Sequence, residues 1–428
     1  MSTKTCVIVI AGVLQDHNFH HVCFVAESLS TLLPNFNYKV ISKSSTEWKA
    51  RHIESKKCKC PDIQEKRQIM IIGAGRSMCP DLVPQLIMTK ELWLSHGVVI
   101  NLYDEPGRFF KLRKILKDVN GLGGGLNTVN VLYHIPDGLK DCDILIYLDD
   151  FLKEEFEGID SWLHRNYKCL RELSMQINEY APTHMKVLFC SMGPICFHVE
   201  IMHRLVTKLP KTSIVAVSSH YGLEMTCVFA QSSGFTLKNF GCPPVWGYLG
   251  INQFVDIHHM IQKCDYYLPN RRALESSETT TLPIGVQRSE LRWFFYISHN
   301  KTDPYRQLSI QKSLVQYQVG RSEDFQKCRA ICDLLKLWYR KEVGDEIISL
   351  GIFSDGSFGI PEGLVFSQPV YLKVLEDHTR IWVPFTDFPM PNMPISFFQN
   401  LLDIAIFVKE KIPVLEEGGG VRGPEFKK

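Results

Sequence analysis

Runs of apolar residues recur along the chain at intervals that suit alternating strands and helices. From Gln68 onward six of these runs are rich in Val, Ile and Leu and are separated by stretches with helical periodicity. Short apolar runs of this kind are typical of strands that are buried on both faces of a parallel sheet. The predicted strands are Ile69–Ile72, Val98–Tyr103, Val129–Tyr133, Ile144–Leu148, Val187–Cys190 and Ser213–Val217. The pattern therefore predicts a doubly wound α/β fold.

The sequence on either side of this pattern predicts further units. Residues 5–42 contain a strand, an amphipathic helix and a second strand, which together predict a small βαβ unit. After about Ser218 the pattern changes to helices and antiparallel strands, which predicts a second lobe over the carboxyl edge of the sheet. The expected organisation is residues 1–66, 67–217 and 218–415, followed by a glycine-rich tail, 416–428, that is expected to be disordered.

The N-terminal unit resembles the opening of a thioredoxin or glutaredoxin fold. Where that fold carries Cys-Pro-x-Cys, this chain has Asp16-His17-Asn18-Phe19, so no thiolate nucleophile stands at the helix start and redox chemistry is not expected there. His17, His20 and His21 offer metal ligands, but histidines in a polar loop are more often simply solvated. No metal site is predicted.

Composition restricts the kinds of partner and the compartment. The chain has 428 residues, with 48 basic against 46 acidic side chains, so charge alone would not attract nucleic acid or an anionic membrane. The sequence shows no signal-peptide pattern and no apolar stretch of membrane-spanning length, and its 14 cysteines suit reduced, buried thiols. These features predict a soluble cytoplasmic protein.

Two segments of the second lobe resemble cytosolic malate dehydrogenases. The first is Gly351-Ile-Phe-Ser-Asp-Gly-Ser-Phe-Gly-Ile-Pro-Glu-Gly363, which is similar to a hairpin of that family. The second is Val245-Trp246-Gly247-Tyr248-Leu249-Gly250, which stands where the family carries Trp-Gly-Asn-His. The resemblance spans about residues 68–412 and indicates a divergent branch of the lactate and malate dehydrogenase family.

This resemblance implies a fold, an activity and an assembly. The implied fold is a Rossmann-type parallel sheet followed by an α+β substrate domain, and the implied assembly is a homodimer. The family activity is the NAD-dependent interconversion of malate and oxaloacetate. It requires a histidine base with an aspartate partner and arginine forks that bind the substrate carboxylates.

Most positions that match the catalytic residues of the family carry other side chains here. Leu249 replaces the histidine base, and Tyr221 replaces its aspartate partner. Lys153 and Ser219 replace two arginines, and Met192 replaces an asparagine.

Two other residues near these positions are of interest. His220, next to Ser219 and Tyr221, is a weak candidate for a substitute base. The only clear remnant is a hairpin serine. This serine is Ser357.

The candidate cofactor site is better preserved. Gly73-Ala-Gly75-Arg-Ser-Met78 follows a strand and precedes a helix, as a phosphate-binding turn requires, but a third glycine is missing. Asp104 has the spacing of the acidic residue that binds the ribose, and it could equally be a strand cap. Asp149 and Asp150 would place negative charge near a pyrophosphate; a divalent-ion site there is less favoured than simple solvated loop carboxylates. We therefore expect NAD binding to be possible but impaired.

Three hypotheses about function remain open. The first is a catalytically silent dehydrogenase that is retained for a protein partner or for nucleotide sensing. The second is an NAD-dependent oxidoreductase with another substrate and Tyr221 or Tyr248 as proton donor. The third is an interaction module built on residues 1–66. The first hypothesis is favoured, and malate dehydrogenase activity is expected to be absent or very weak, because the catalytic residues of the family are replaced.

Overall fold

The structure of the protein is a computed structural model that describes most of the chain after residue 65. The described residues belong to a unit that begins at Gln64. The predicted βαβ unit, the histidines at 17, 20 and 21, and the tail after residue 416 lie outside them. The described ranges are 66–94, 97–122, 127–149, 151–233, 242–267, 287–295, 304–319, 324–341 and 346–416.

Thirteen strands are present in the described residues, and eleven of them form one sheet in the order β3-β2-β1-β4-β5-β6-β11-β12-β7-β8, with β13 paired to β12. The remaining two, β9 and β10, pair with each other. The strands are β1 Arg67–Ile72, β2 Val98–Tyr103, β3 Thr128–Val131, β4 Ile144–Tyr147, β5 Lys186–Phe189, β6 Ile214–Val217, β7 Val245–Tyr248, β8 Asn252–Val255, β9 His259–Tyr267, β10 Gln287–Phe295, β11 Ile347–Phe353, β12 Val365–Val374 and β13 Arg380–Pro384.

Nine α-helices connect or cover these strands within the described residues. None of them is long and apolar enough to cross a membrane. The helices are α1 Cys79–Met88, α2 Phe109–Leu122, α3 Ile135–Leu139, α4 Ile159–Tyr180, α5 Ile195–Leu205, α6 Ser219–Ser233, α7 Pro304–Val319, α8 Phe325–Tyr339 and α9 Ile395–Glu416.

The first six strands confirm the predicted doubly wound sheet. They are all parallel, and the chain starts at the centre of the sheet, moves to β3 at one edge and then returns past β1 to β4, β5 and β6. Most boundaries agree with the sequence pattern within one residue. The exceptions are β1, which begins at Arg67 rather than Ile69, and β3, which ends at Val131 rather than Tyr133. Tyr133 is exposed at the sheet edge, where its ring packs against Phe109 and its hydroxyl accepts a hydrogen bond from Arg113.

Apolar side chains cover both faces of the sheet. One core lies under α4, α5 and α9 and includes Leu170, Phe197 and Leu401. The other lies under α1, α2 and α8 and includes Leu82 and Trp338. Helices on both faces explain why the parallel strands read as continuous apolar runs, since neither face of these strands contacts water.

The sheet continues from its parallel half into antiparallel strands through the pairing of β6 with β11. Gly351 lies opposite Ala216 in this pairing. A β-carbon at Gly351 would lie 2.8 Å from the β-carbon of Ala216, 3.1 Å from the Cys196 sulfur and 3.3 Å from Cδ1 of Leu249. The missing side chain therefore lets two strands, α5 and the segment after β7 meet at one point.

We expect Gly351→Ala to destabilise the protein by about 1–3 kcal/mol, because the added methyl overpacks a closed junction. The matched control is Gly121→Ala in α2, where nothing lies within 4 Å of the added β-carbon. That control should be neutral or slightly stabilising, since alanine favours helices. Thermal and chemical denaturation of both variants measure the difference. Equal stability of Gly351→Ala and the wild type would contradict the tight junction.

Candidate active site

The turn between β1 and α1 lies at the carboxyl edge of the parallel sheet, where doubly wound proteins bind nucleotides. Gly73 has φ 80°, a left-handed conformation that favours glycine. A β-carbon at Gly73 would lie 2.7 Å from the backbone nitrogen of Asp149, and one at Gly75 would lie 2.8 Å from the Asp104 carboxylate. Both glycines are thus required for the turn to pack against β2 and β4.

Asp104 holds this turn from the end of β2. One carboxylate oxygen, Oδ2, accepts the Gly75 N–H at 2.7 Å. The other, Oδ1, accepts the Glu105 N–H at 2.7 Å and lies 3.4 Å from the Arg108 guanidinium. Only 2% of Asp104 is exposed. In this structure the carboxylate therefore caps the turn, and its role in binding ribose stays a prediction.

The backbone donors of the turn are largely used within the protein. The N–H groups of Gly73 and Ala74 donate to the Tyr103 carbonyl, that of Arg76 donates to Gly73, and that of Cys79 donates to Arg76. A helix N-terminus binds a phosphate through N–H groups of this kind. A pyrophosphate would have to displace some of these internal hydrogen bonds.

Arg76, the basic residue of the glycine turn, lies 3.4 Å from the Asp149 carboxylate. Burial raises the pKa of Asp149, and the neighbouring Asp104 raises it further, while Arg76 opposes the shift. Positive charge at this edge is therefore already balanced by a carboxylate.

Leu249, in the position of the expected histidine base, is fully buried after β7. Its N–H donates to the Cys196 sulfur at 3.2 Å, and its carbonyl accepts the Cys196 N–H at 3.4 Å. The next residue, Gly250, has φ 85°, and a β-carbon there would lie 1.9 Å from the Gly193 carbonyl oxygen. The segment is thus pressed against the first turn of α5.

Tyr221, in the position of the expected aspartate, packs against the same core. Burial raises the pKa of its phenol, and the neighbouring Cys190, Glu224 and Cys196 add to the shift, so the group stays protonated at neutral pH. Ser219 is buried at the start of α6, and its carbonyl accepts a hydrogen bond from Cys242. Tyr221 and Leu249 thus belong to the same apolar core.

Met192 is exposed at the mouth of a cavity of about 540 Å³. Glu224, Lys312 and Lys327 also line this cavity, and the Lys312 ammonium lies 2.6 Å from the Glu224 carboxylate. Met192 thus borders a space between α6, α7 and α8 that charged side chains also line.

Lys153 and Ser357 are more distant from this group. Lys153 is exposed in the loop before α4, and Ser357 is part-buried in the turn after β11, where its N–H donates to Asp355. No described hydrogen bond joins either residue to Leu249 or Tyr221. The loop that contains Lys153 is instead held by Arg165 of α4, which sequence reasoning missed. Arg165 forms two hydrogen bonds to the Glu157 carboxylate, at 2.7 and 3.0 Å.

Two buried imidazoles lie near this edge. Burial lowers the pKa of His198 to about 3, and its Nε2 is 2.7 Å from the amide oxygen of Asn166. Burial, Lys327 and Lys312 lower the pKa of His220, whose ring lies against Tyr221 with the centroids 4.0 Å apart. Both rings are neutral at physiological pH, and neither forms a described hydrogen bond to a carboxylate.

A histidine–aspartate pair does occur elsewhere in the fold. His259 Nδ1 lies 2.6 Å from Asp256 Oδ2. The Asp256 N–H donates to Pro244, so the pair lies at the start of β7, about 13 Å along the strand from Leu249. In the described residues, no group of three or more His, Cys, Asp and Glu side chains is placed to hold a metal ion.

Glu200 is a buried carboxylate behind Leu249 that the sequence reasoning did not single out. One oxygen accepts the Val365 N–H at 2.9 Å, and the other accepts the Tyr248 hydroxyl at 3.3 Å. Burial raises the pKa of Glu200 to about 7, against the opposing effect of Lys409. A single acidic residue in the otherwise apolar middle of α5 was the signal that could have revealed it.

Comparison with known proteins finds distant relatives. No protein-family model matches the chain. The chain is 23% identical over 326 residues to "Putative malate dehydrogenase 1B" of Branchiostoma floridae, which covers 75% of the chain and 59% of that relative. It is 20% identical over 308 residues to "Malate dehydrogenase 3, cytoplasmic" of Arabidopsis thaliana, and this match covers 71% of the chain and 84% of that relative. The chain thus spans about three fifths of the first relative's length.

Solved structures share the fold. A malate dehydrogenase from Naegleria fowleri superposes with a TM-score of 0.58 at 14% identity, covering 83% of this chain and 99% of that one. A lactate dehydrogenase from Trichomonas vaginalis in complex with NADH and oxamate superposes with a TM-score of 0.59 at 16% identity, and the match covers 82% of this chain and 97% of that one.

We expect Glu200→Gln to flatten the pH dependence of stability. The folded pKa of about 7 lies above the ordinary value of 4.5, so the wild type loses stability as pH rises through this window. The free energy of unfolding of the wild type falls by about 3 kcal/mol across this window. The variant lacks this fall, because glutamine does not ionise. Denaturation of both proteins between pH 4.5 and 8 measures the difference in slope.

The control for this prediction is Glu410→Gln, which removes an exposed carboxylate from α9. It should leave the wild-type slope unchanged. Parallel stability curves for Glu200→Gln and the wild type would contradict the assignment of a raised pKa to Glu200.

Proposed function

Because the chain belongs to the lactate and malate dehydrogenase family, we propose that it is a catalytically silent member that acts by binding. The observation that carries this proposal is the packing of Leu249. Its side chain is fully buried beside Gly351, and its backbone is bonded to Cys196. An apolar side chain cannot accept the proton that leaves the substrate hydroxyl with the hydride.

Among the described residues near Leu249, neither imidazole replaces the lost base, and both oxygens of the Glu200 carboxylate already accept hydrogen bonds, from Val365 and Tyr248. A general base contributes about 10²–10⁴ in rate, and it must be within hydrogen-bond reach of the proton it removes. Burial lowers the pKa of His198 and His220, so both imidazoles are weak bases, and the described hydrogen bond of His198 goes to an amide. These features support a site in which proton transfer no longer occurs.

Recognition of a dicarboxylate is weakened in the same way. Lysine at position 153 is a point charge without the planar fork of arginine. The arginines nearest the relevant loops are paired already, Arg165 with Glu157 and Arg76 with Asp149. A substrate carboxylate would have to compete with a neighbouring protein carboxylate for each of them.

NAD binding is proposed to be retained in weakened form. The related lactate dehydrogenase from Trichomonas vaginalis was solved with NADH, and this chain keeps the fold and the glycine turn. Against tight binding stand the internal hydrogen bonds of the turn and the two carboxylates, Asp104 and Asp149, beside it. Negative charge in a partly buried site repels a pyrophosphate.

The remaining attributes of the protein follow from the family and are part of the proposal. We place the chain in the cytoplasm, as for the cytoplasmic relatives, and assign it a homodimer and an unidentified protein partner. The competing function is an oxidoreductase with Tyr221 or Tyr248 as proton donor. Tyr221 packs against the apolar core that includes Leu249, whereas the Tyr248 hydroxyl donates to the buried Glu200 carboxylate.

We expect purified protein with NADH and oxaloacetate to show no turnover above about 1 per second, a low but ordinary enzyme rate. The measurement is the loss of NADH absorbance, with a cytosolic malate dehydrogenase as the positive control. Turnover above this rate would overturn the proposal. If turnover is seen, Tyr221→Phe and Tyr248→Phe show which tyrosine is the proton donor, because only the variant that lacks the donating phenol would lose turnover.

We expect Asp149→Asn to lower the Kd for NADH about tenfold, because it removes negative charge beside the phosphate turn. Thermal shift with NAD, NADH and NADP, followed by calorimetry, measures the change. Asp118→Asn on the exposed face of α2 is the matched control and should leave the Kd unchanged. Absence of binding in both the wild type and Asp149→Asn would contradict retained dinucleotide binding.

A further inference from the structure

A second cavity lies at the amino edge of the parallel sheet, opposite the glycine turn. Its volume is about 760 Å³, within the range of small-molecule sites. The first residues of β1 and β5, the turn before β6, the end of α8 and the turn between β12 and β13 all contribute to its walls. We call this cavity the basal groove; its charged lining residues are Arg67, Asp143, Lys186, Lys208 and Arg380, with His184 and His378.

The basal groove carries an excess of positive charge. Four of its residues, two arginines and two lysines, are basic, and Asp143 is the one carboxylate in its described lining. Asp143 is already engaged, since it accepts the Gln68 N–H at 2.8 Å and lies 3.1 Å from His184 Nε2. It therefore leaves most of the positive charge in the groove without an anionic partner.

The four cations are held by neutral groups instead. Arg67 donates to the Leu92 carbonyl at 3.0 Å, and its guanidinium stacks 3.8 Å from the centre of the Tyr339 ring. Arg380 donates to the Trp338 carbonyl at 2.9 Å, and Lys208 to the Glu179 carbonyl at 3.4 Å. Carbonyl and ring contacts fix the direction of a cation without cancelling its charge, so these side chains are preorganised for an anion.

Lys186 stands at the wall of the groove and is the most informative of the four. Its ammonium donates to the Ser213 hydroxyl at 3.1 Å and lies 5.4 Å from the centre of the Trp338 ring. Burial lowers the pKa of this part-buried amine, and no described carboxylate forms an ion pair with it. Burying a charge without a counter-charge is costly, and an anionic ligand would offset that cost.

We propose that the basal groove binds a small anion that carries at least two phosphate or carboxylate groups. Hydroxyl donors at Thr183, Thr207, Thr212 and Ser213 line the same cavity and suit the oxygens of such a ligand. The concave shape favours a small molecule over an extended polymer. This proposal is independent of the catalytic state of the opposite edge, because no residue of the groove belongs to the glycine turn or contacts Leu249.

The test is calorimetric titration of the full chain at low ionic strength with inorganic pyrophosphate and, in a separate arm, with citrate. We expect binding of at least one of them, with a Kd that rises at least tenfold in Lys186→Gln. Lys168→Gln, which removes an exposed cation from α4, is the matched control and should bind as the wild type does. The two arms distinguish a phosphate ligand from a polycarboxylate.

Further variants keep the outcome decisive. Arg76→Gln reports binding at the glycine turn and should leave the Kd unchanged, whereas Lys208→Gln should weaken binding as Lys186→Gln does. Thermal unfolding without anions shows that each variant is folded. Absence of binding in both arms overturns the proposal. So does an equal loss in Lys186→Gln and Lys168→Gln, or a loss in Arg76→Gln with Lys186→Gln unaffected.

Discussion

The pairing of β6 with β11 at Gly351 is the constraint on which the arrangement of the candidate site depends. Because position 351 has no side chain, Ala216, Cys196 and Leu249 all approach it closely. This contact joins the parallel sheet to the antiparallel strands and presses the end of β7 onto the first turn of α5. A polar base at position 249 would need room and a partner, and this junction offers an apolar wall.

The same closure explains the electrostatics behind the site. Glu200 and Tyr248 share a hydrogen bond in a region sealed by α5 and β12, and burial favours their neutral forms. His198 and His220 are neutral for the same reason, since low-dielectric surroundings disfavour an imidazolium. The two imidazoles are therefore poorly suited to carry protons, and the Glu200 carboxylate is engaged with Val365 and Tyr248 in the packing of the core.

The two edges of the parallel sheet treat their cations differently. At the carboxyl edge Arg76 pairs with Asp149, and Arg108 with Asp104, so positive charge is balanced inside the protein. At the amino edge Lys186 and Arg380 donate to a hydroxyl and to carbonyls, and the positive charge remains. An edge that ordinarily binds an anionic cofactor is thus partly neutralised, while the opposite edge has the surplus.

The sequence by itself determined the parallel strands and the glycine turn, and its resemblance to a family predicts which residues stand at that family's catalytic positions. These are local properties, because buried strands read as apolar runs and a motif is a short stretch of chain. Only the tertiary structure decided that Asp104 caps the turn, that Arg76 and Arg165 are paired, and that Arg67, Lys186 and Arg380 line one groove. Each of these depends on which distant segments the sheet brings together, and charge and burial at a residue are set by those neighbours.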